Sequence, residues 1–303
     1  MSRNVFVLVL NYRRAEDTLE CLRSVYASSY SSLKAVLVDN GSGDGCVERA
    51  QKEFPELHAI ENEKNLGYAE GNNRGIRWAM ELGADYVFVL NNDATVRRDT
   101  VEKLVKAGEA SPEAGILAPK VLLYDRPEII DSCGTNMDWF RLRPRLGACG
   151  SHDSSSWRGN VEGPVFPGSA LMLKRVFIEK AGLFDQEFFL VHEDADLCFR
   201  SLKHGFKNRL VADAVVYHKV SRTLSSLPFQ SEYYATRNFL YLARRHASLA
   251  SQVSAAAGVA ALSLWKGWRY FFSRDDNKRK IEGFFCGVRD YWARREGPWE
   301  DRP

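Results

Sequence analysis

Residues 87–96 read VFVLNNDATV, and the fold turns on them. Val87, Phe88, Val89 and Leu90 make an uninterrupted apolar run of the kind that is buried on both faces of a sheet. Asn91, Asn92 and Asp93 follow with no turn residue between. In open α/β sheets the carboxyl ends of the strands rim the ligand crevice, so polar side chains at such an end are placed for use.

Working outward, the pattern recurs. Residues 5–10 are apolar and β-branched and stop at Asn11, and residues 33–38 run into Asp39-Asn40-Gly41-Ser42. Helical spacing lies between these runs: Leu19, Leu22 and Tyr26 after the first, residues 47–54 after the second, and Ile76, Ala79 and Met80 before a stop at Gly83. A weak strand fits 58–60. Strands alternating with helices predict a mainly parallel sheet with right-handed crossovers.

Beyond Ser111-Pro112 the rhythm loosens. Residues 124–164 are rich in Gly, Pro, Ser and Arg, include Trp139 and Trp157, and keep no period, which reads as functional loop or disorder. Order returns over 168–173, in a helix ending at Gly182, a helix over 194–204 stopped by Gly205, and a strand over 209–217.

The 303 residues are 45% apolar and 12% aromatic, enough for a packed core. Six scattered cysteines without a C-x-x-C pair suggest neither structural zinc nor a disulfide framework, and a reducing compartment fits. The opening apolar run is too short for a signal-peptide core, and no window holds the ~18 apolar residues of a membrane span. A cytoplasmic protein is expected, with no nucleic-acid partner. Net charge is +3, but residues 237–303 carry 13 basic and 7 acidic side chains, +6 in all, leaving −3 for the rest.

Three clusters carry the chemistry. Asp39 and Asp93 end two strands, where a ribose wants a carboxylate and a diphosphate is normally held through a divalent cation; an Asx-turn is the plain structural alternative. Between them NLGYAEGNNRG, 65–75, allows close backbone approach through its glycines and offers donors from Asn65, Asn72, Asn73 and Arg74, or is a loop without a ligand. It is neither G-x-G-x-x-G nor a P-loop. FFLVHEDADLCFR, 188–200, sets Glu193, Asp194 and Asp196 at a helix start, where the dipole alone would favour them. The apolar residues before them would also raise a carboxyl pKa toward the range of a general base, and Asp194 is the choice. His218 ends a further apolar strand, as a surface or core residue or as a ligand beside an Asp93-bound cation.

The ordered set VLNYRR (9–14), VDNGS (38–42), NLGYAEGNNRGI (65–76), LNNDA (90–94), PGSALMLKR (167–175), GLFDQEFFLVHEDADLCFR (182–200) and VVYHKVSRT (215–223) resembles the family 2 glycosyltransferases, rhamnosyltransferase-like bacterial members in particular. The resemblance covers roughly residues 4–245. It implies a GT-A fold, a nucleotide-diphospho-sugar donor such as dTDP-rhamnose or a UDP-sugar, and inverting transfer to a cell-surface glycan or lipid-linked acceptor. By residue, it implies donor contacts from Asn11, Asp39, Asn65, Gly67, Asn72, Asn91, Asn92, Ser221 and Arg222. Mg²⁺ or Mn²⁺ would be held by Asp93 and His218, with Asp194 as base and Trp139, Glu193 and Arg237 on the acceptor side. Asn91 replaces the first acid of the family's D-x-D motif, so the metal is expected to bind with the donor. A glycosyltransferase domain over 1–245 and a helical, basic extension over 246–303 are expected. The extension's stripe of Leu249, Val253, Ala257, Ala260, Leu264, Trp268 and Phe271 would pack on the host domain or a second copy in a homodimer, or lie on an anionic membrane at the inner face of the cell.

Three other classes fit the residues less well. A sugar nucleotidyltransferase resembles its kin in a Gly-rich loop after the first strand, which VLNYRRAEDT lacks. A non-catalytic carbohydrate-binding protein would not require a positioned base. A processive synthase would show Q-x-x-R-W and membrane spans, and neither occurs.

Overall fold

The apolar runs become strands whose side chains alternate between two layers of core. Along β1 (Val5–Asn11), Val5, Val7 and Val9 share one layer with Leu19, Leu22 and Val25 of α1 (Ala15–Tyr26). Phe6 and Leu8 enter the other layer, with Ile76 and Ala79 of α3 (Gly67–Glu81). Burial on both faces is why the strand reads as continuous rather than alternating. The computed structural model describes residues 2–154, 160–220 and 227–299.

β2 (Leu33–Asp39), α2 (Cys46–Glu53), β3 (His58–Glu61) and β4 (Tyr86–Asn91) complete a parallel half ordered β3-β2-β1-β4. Strand order reverses at β1, which opens a crevice beyond the carboxyl ends. Register places Asn11 beside Asp39 and Leu10 beside Asn91, so the polar strand ends share one rim.

The second half is mixed. After β5 (Ala94–Val96), α4 (Thr100–Glu109) leads to β6 (Ala114–Leu123). β11 (Ala170–Lys174) runs antiparallel between β4 and β6, and β12 (Lys207–His218) lies parallel to β6. β5 pairs with the end of β12, setting His218 against Ala94, and Lys219 N–H donates to the Asp93 carbonyl. This pairing delivers His218 to Asp93.

Residues 124–154, read from sequence as irregular, hold three short strands. β7 (Ile130–Ser132) pairs with β6, while β8 (Thr135–Asp138) and β9 (Arg143–Leu146) form a hairpin. Segments of three or four residues, some as polar as TNMD, are too short to show a period. β10 (Asn160–Glu162) adds an edge strand to β12. Trp157 lies outside the described residues.

α5 (Arg175–Ala181) and α6 (Glu193–Lys203) pack on the sheet, and α7 (Pro228–His246), α8 (Leu249–Tyr270) and α9 (Asp275–Trp292) close the chain. α9 lies close along α7: a Cβ on Gly283 would collide with the Phe229 carbonyl oxygen. α8 buries only Ala255 and Gly258, so its apolar stripe does not pack on the host domain as expected. Among the described residues no helix is long and apolar enough to cross a membrane.

Candidate active site

At the rim the strand ends bind one another first. Asn11 Nδ2 donates to Asp39 Oδ1 at 2.8 Å, and Ser42 N–H donates to Asp39 Oδ2 at 2.9 Å. Asn40 donates to Asn65 Oδ1 and to the Gly67 carbonyl, fixing the glycine loop against β2. Gly67 has φ +79°, and a Cβ there would lie 2.5 Å from Phe189, so only glycine lets α3 start so close to the 188–192 loop. The first amides of α3, Tyr68 and Ala69, donate to the Phe189 carbonyl.

Asp93 follows β4, half-buried. Its Oδ1 stands 3.2 Å from His218 Nε2 without the alignment of a hydrogen bond, and both atoms are buried and unpartnered, as is Asn91 Oδ1. His218 Nδ1 is 2.9 Å from Asp131 Oδ2. Burial alone would depress the imidazole's pKa, but Asp131 and Asp93 outweigh it and push it up to about 9. Burial would raise the Asp93 carboxyl; His218 more than offsets this and holds it below the usual carboxylate range. A carboxylate oxygen, an amide oxygen and, once the imidazolium gives up its Nε2 proton, an imidazole nitrogen would suit Mg²⁺ or Mn²⁺. Among the described residues no group of three or more His, Cys, Asp or Glu side chains could hold a metal, so this pair leaves most coordination positions to a ligand. Asp131, missed by the sequence reading, bonds the far nitrogen of His218, as carboxylates do behind metal-binding histidines. EIIDS, 128–132, repeats the signal of an apolar pair ended by an acid, but at three residues β7 is too short to stand out.

Glu193 and Asp194 open α6. Asp194 Oδ2 accepts from Gly168 N–H and Oδ1 from Ala195 N–H, both at 2.7 Å, whereas buried Glu193 Oε2 has no partner. Burial raises both pKa values, Glu193 well above the usual range with the Asp194 charge adding to it, while the two N–H donors oppose the rise at Asp194. Two adjacent carboxyls in an apolar wall cannot both ionise freely, so the charge settles on Asp194 and the proton on Glu193.

The preceding loop is strained. Phe189, Val191 and His192 have φ of 59°, 69° and 73°, a region that non-glycine and above all β-branched residues avoid. Asn238 Nδ2 donates to the carbonyls of Phe188, Leu190 and Val191, and Arg237 to those of Glu187, Phe188 and Gly297.

Two cavities meet here. One of about 480 Å³ is bordered by Tyr12, Asn40, Asn65, Gly67, Asn92 and Asp93 on the sheet side and by Leu227, Gln230, Tyr234 and Trp299 opposite. The other, of about 370 Å³, is bordered by Asp131, Gly168, Glu193, Asp194 and His218. Tyr68, Asn91 and Leu190 border both, and Asp93 and His218 touch across the join. Asn11 and Asp39 lie beneath this rim rather than lining either cavity. Asn72 is buried, bonded to the Tyr68 carbonyl. Arg237, expected toward an acceptor, is wholly buried as a loop clamp, and Trp139 packs between Phe199 and Phe239. Neither lines either cavity, because Arg237 is held by the Glu187, Phe188 and Gly297 carbonyls and Trp139 by rings of α6 and α7. Ser221 and Arg222 lie outside the described residues.

The model of glycosyl transferase family 2 matches residues 6–130, and that of glycosyl transferase family group 2 matches residues 86–275. The chain is similar to an N-acetylglucosaminyl-diphospho-decaprenol L-rhamnosyltransferase of Mycobacterium tuberculosis, 26% identical over 79% of this chain and 84% of that protein. It is 23% identical to a dTDP-rhamnosyl transferase of Shigella flexneri over 82% of this chain and 83% of the other. Among solved structures, a mannosyltransferase of Pyrobaculum calidifontis in complex with GDP-Man and Mn²⁺ superposes with TM-score 0.60 at 20% identity, covering 98% of this chain and 89% of that one. The likeness establishes the GT-A fold.

Proposed function

Because the chain belongs to the family 2 glycosyltransferases, we propose that it moves a sugar, with inversion, from a nucleotide-diphospho-sugar in the larger cavity to a hydroxyl in the smaller. The observation that carries this is the meeting of the two cavities at Asn91 and Tyr68, with Asp93 and His218 at the join and Asp194 beyond it. Asp93 and His218 would hold a divalent cation, Mg²⁺ or Mn²⁺, which when bound neutralises the charge left on the departing diphosphate. Asp194 takes the proton of the acceptor hydroxyl as its oxygen attacks the anomeric carbon. Glu193, kept neutral, borders the same cavity and holds no second negative charge near the base. Asn65 and Asn92 offer donors to the nucleotide and sugar, and Tyr12 or Tyr234 a face for a base. Asn11, Asp39 and Asn72 support that surface from below.

The relatives favour dTDP-rhamnose as donor, with UDP-sugars next, and a diphospholipid-linked saccharide of cell-surface glycan synthesis as acceptor. Incubation with a panel of nucleotide sugars and Mn²⁺, reading nucleoside diphosphate release, tests the reading. Turnover with one donor that chelation abolishes is the expected result; no binding of any nucleotide sugar contradicts it.

A further inference from the structure

The three C-terminal helices carry a surface that the transfer reaction does not use. Leu264, Trp268 and Phe272 recur at intervals of four and so share one side of α8 and its end. They are left outside: Trp268 is 66% exposed, Phe271 80% and Phe272 76%. Leu249 and Val253 extend the same exposed stripe toward the start of α8. An unbroken apolar stripe of this length on a folded chain marks a contact surface.

Its charge says what it contacts. Residues 264–280 hold six Lys and Arg against two Asp, net +4. The acids, Asp275 and Asp276, sit in the first turn of α9, where the helix dipole favours them. Exposed Arg274, Arg279 and Lys280 have no ion-pair partner among the described residues. A second copy docked by two-fold symmetry would set +4 against +4 around the aromatic rings. An anionic bilayer meets both needs, taking the rings at its interface and the cations among its headgroups.

Placement ties the surface to the site. Lys266 of α8 pairs with Glu232 in the opening turns of α7 and lies over the Phe284 ring of α9. Those same turns of α7 supply Gln230 and Tyr234 to the larger cavity. The aromatic crest is therefore at the cavity end of the helices.

We infer that the stripe from Leu264 to Phe272, with Arg274, Arg279 and Lys280, seats the protein on an anionic lipid surface with its cavities beside the membrane. This deepens the proposed use of a lipid-linked acceptor, but its test needs neither donor nor acceptor. The full chain is sedimented with phosphatidylcholine vesicles, with and without phosphatidylglycerol. The wild type is expected in the pellet only with phosphatidylglycerol, and salt releases it. Two variants, one joining Trp268→Ser, Phe271→Ser and Phe272→Ser, the other Arg274→Gln, Arg279→Gln and Lys280→Gln, should each bind roughly tenfold or more weakly. Nucleotide binding by both, measured by calorimetry, should be unchanged, showing that they fold. Wild-type protein that stays in the supernatant overturns the inference while leaving sugar transfer standing. So do variants that bind vesicles as well as wild type, or an ultracentrifuge profile in which the aromatic variant turns a dimer into a monomer.

Discussion

Asp194 and Glu193 are neighbours in sequence and in charge, yet their surroundings separate them. Two backbone N–H groups meet Asp194 and none is found for Glu193 Oε2, so replacing each has a different consequence. Asp194→Asn should retain nucleotide binding and lose about 10²- to 10⁴-fold in kcat, whereas Glu193→Gln, isosteric with a neutral acid, should keep most of the rate. Because burial raises the Asp194 pKa, the base is protonated and the rate falls at a pH above the ordinary carboxylate range; this acid limb should vanish in Asp194→Asn. A steady-state pH profile of kcat/KM for the three proteins decides it, and equal losses in both variants would reject the division of roles. Asp131 makes a second case. Its bond to His218 Nδ1 leaves Nε2 facing Asp93, and Asp131→Asn should weaken Mn²⁺ binding in the presence of nucleoside diphosphate about 10- to 100-fold. Titration by electron paramagnetic resonance reads this without turnover; unchanged affinity would leave Asp131 a bystander. Asp93, Asp194 and His218 were legible because each interrupts an apolar run. Asp131 was not, because the strand carrying it is three residues long and its partner lies 87 positions away.

At the scale of elements, the loop before α6 adopts a conformation its residues resist, and α7 holds it. One side chain, Asn238, satisfies three carbonyls of that loop. Asn238→Ala leaves the Leu190 and Val191 carbonyls without their buried donor, a loss of about 1–3 kcal/mol, and frees the backbone that leads into Asp194. Urea denaturation should show the destabilisation, and kcat should fall while KM for the donor changes little; loss of stability with full kcat would make the clamp structural only. The next pin is Asp196, which meets Arg200 and His246 at 2.7 Å each. Burial would raise its carboxyl pKa, but His246 and Arg200 outweigh burial and hold it below the usual value. A depressed folded pKa stabilises fully above the unfolded value, about 4, and the contribution disappears as pH falls through the folded one. The sequence pointed to Arg237 without showing its loop partners, because these contacts span about fifty residues and neither segment has a periodicity that mentions the other.

For the whole molecule, the parallel half was readable from apolar runs and helix spacing, since burial on both faces leaves a continuous signal. Strand direction was not: ALMLK in β11 is as apolar as β4, and nothing in five apolar or basic residues says that it runs backward. Yet that reversed strand joins the parallel half to β6 and β12, and so brings His218, 125 residues downstream, to Asp93. The larger cavity is consequently walled by parts that meet only in the folded chain: the end of β4, the start of α3, the 188–192 loop and α7. A ligand that spans them binds only the native state and must raise its stability, by about 2.7 kcal/mol at a hundredfold excess over Kd. For a chain of 303 residues that is a rise in Tm of roughly 4 °C. Among the described residues no group of three or more ionisable ligands could hold a metal, so Mn²⁺ alone should move Tm little. Nucleoside diphosphate alone should move it somewhat. The two together should exceed the sum, because the cation then joins the diphosphate to both side chains, and His218→Ala should reduce the pair to the nucleotide's own shift. A scanning-fluorimetry matrix of metal against dTDP, UDP and GDP reads the coupling directly. Mn²⁺ stabilising as strongly alone as with nucleotide would mean a preformed metal site and would refute donor-coupled binding.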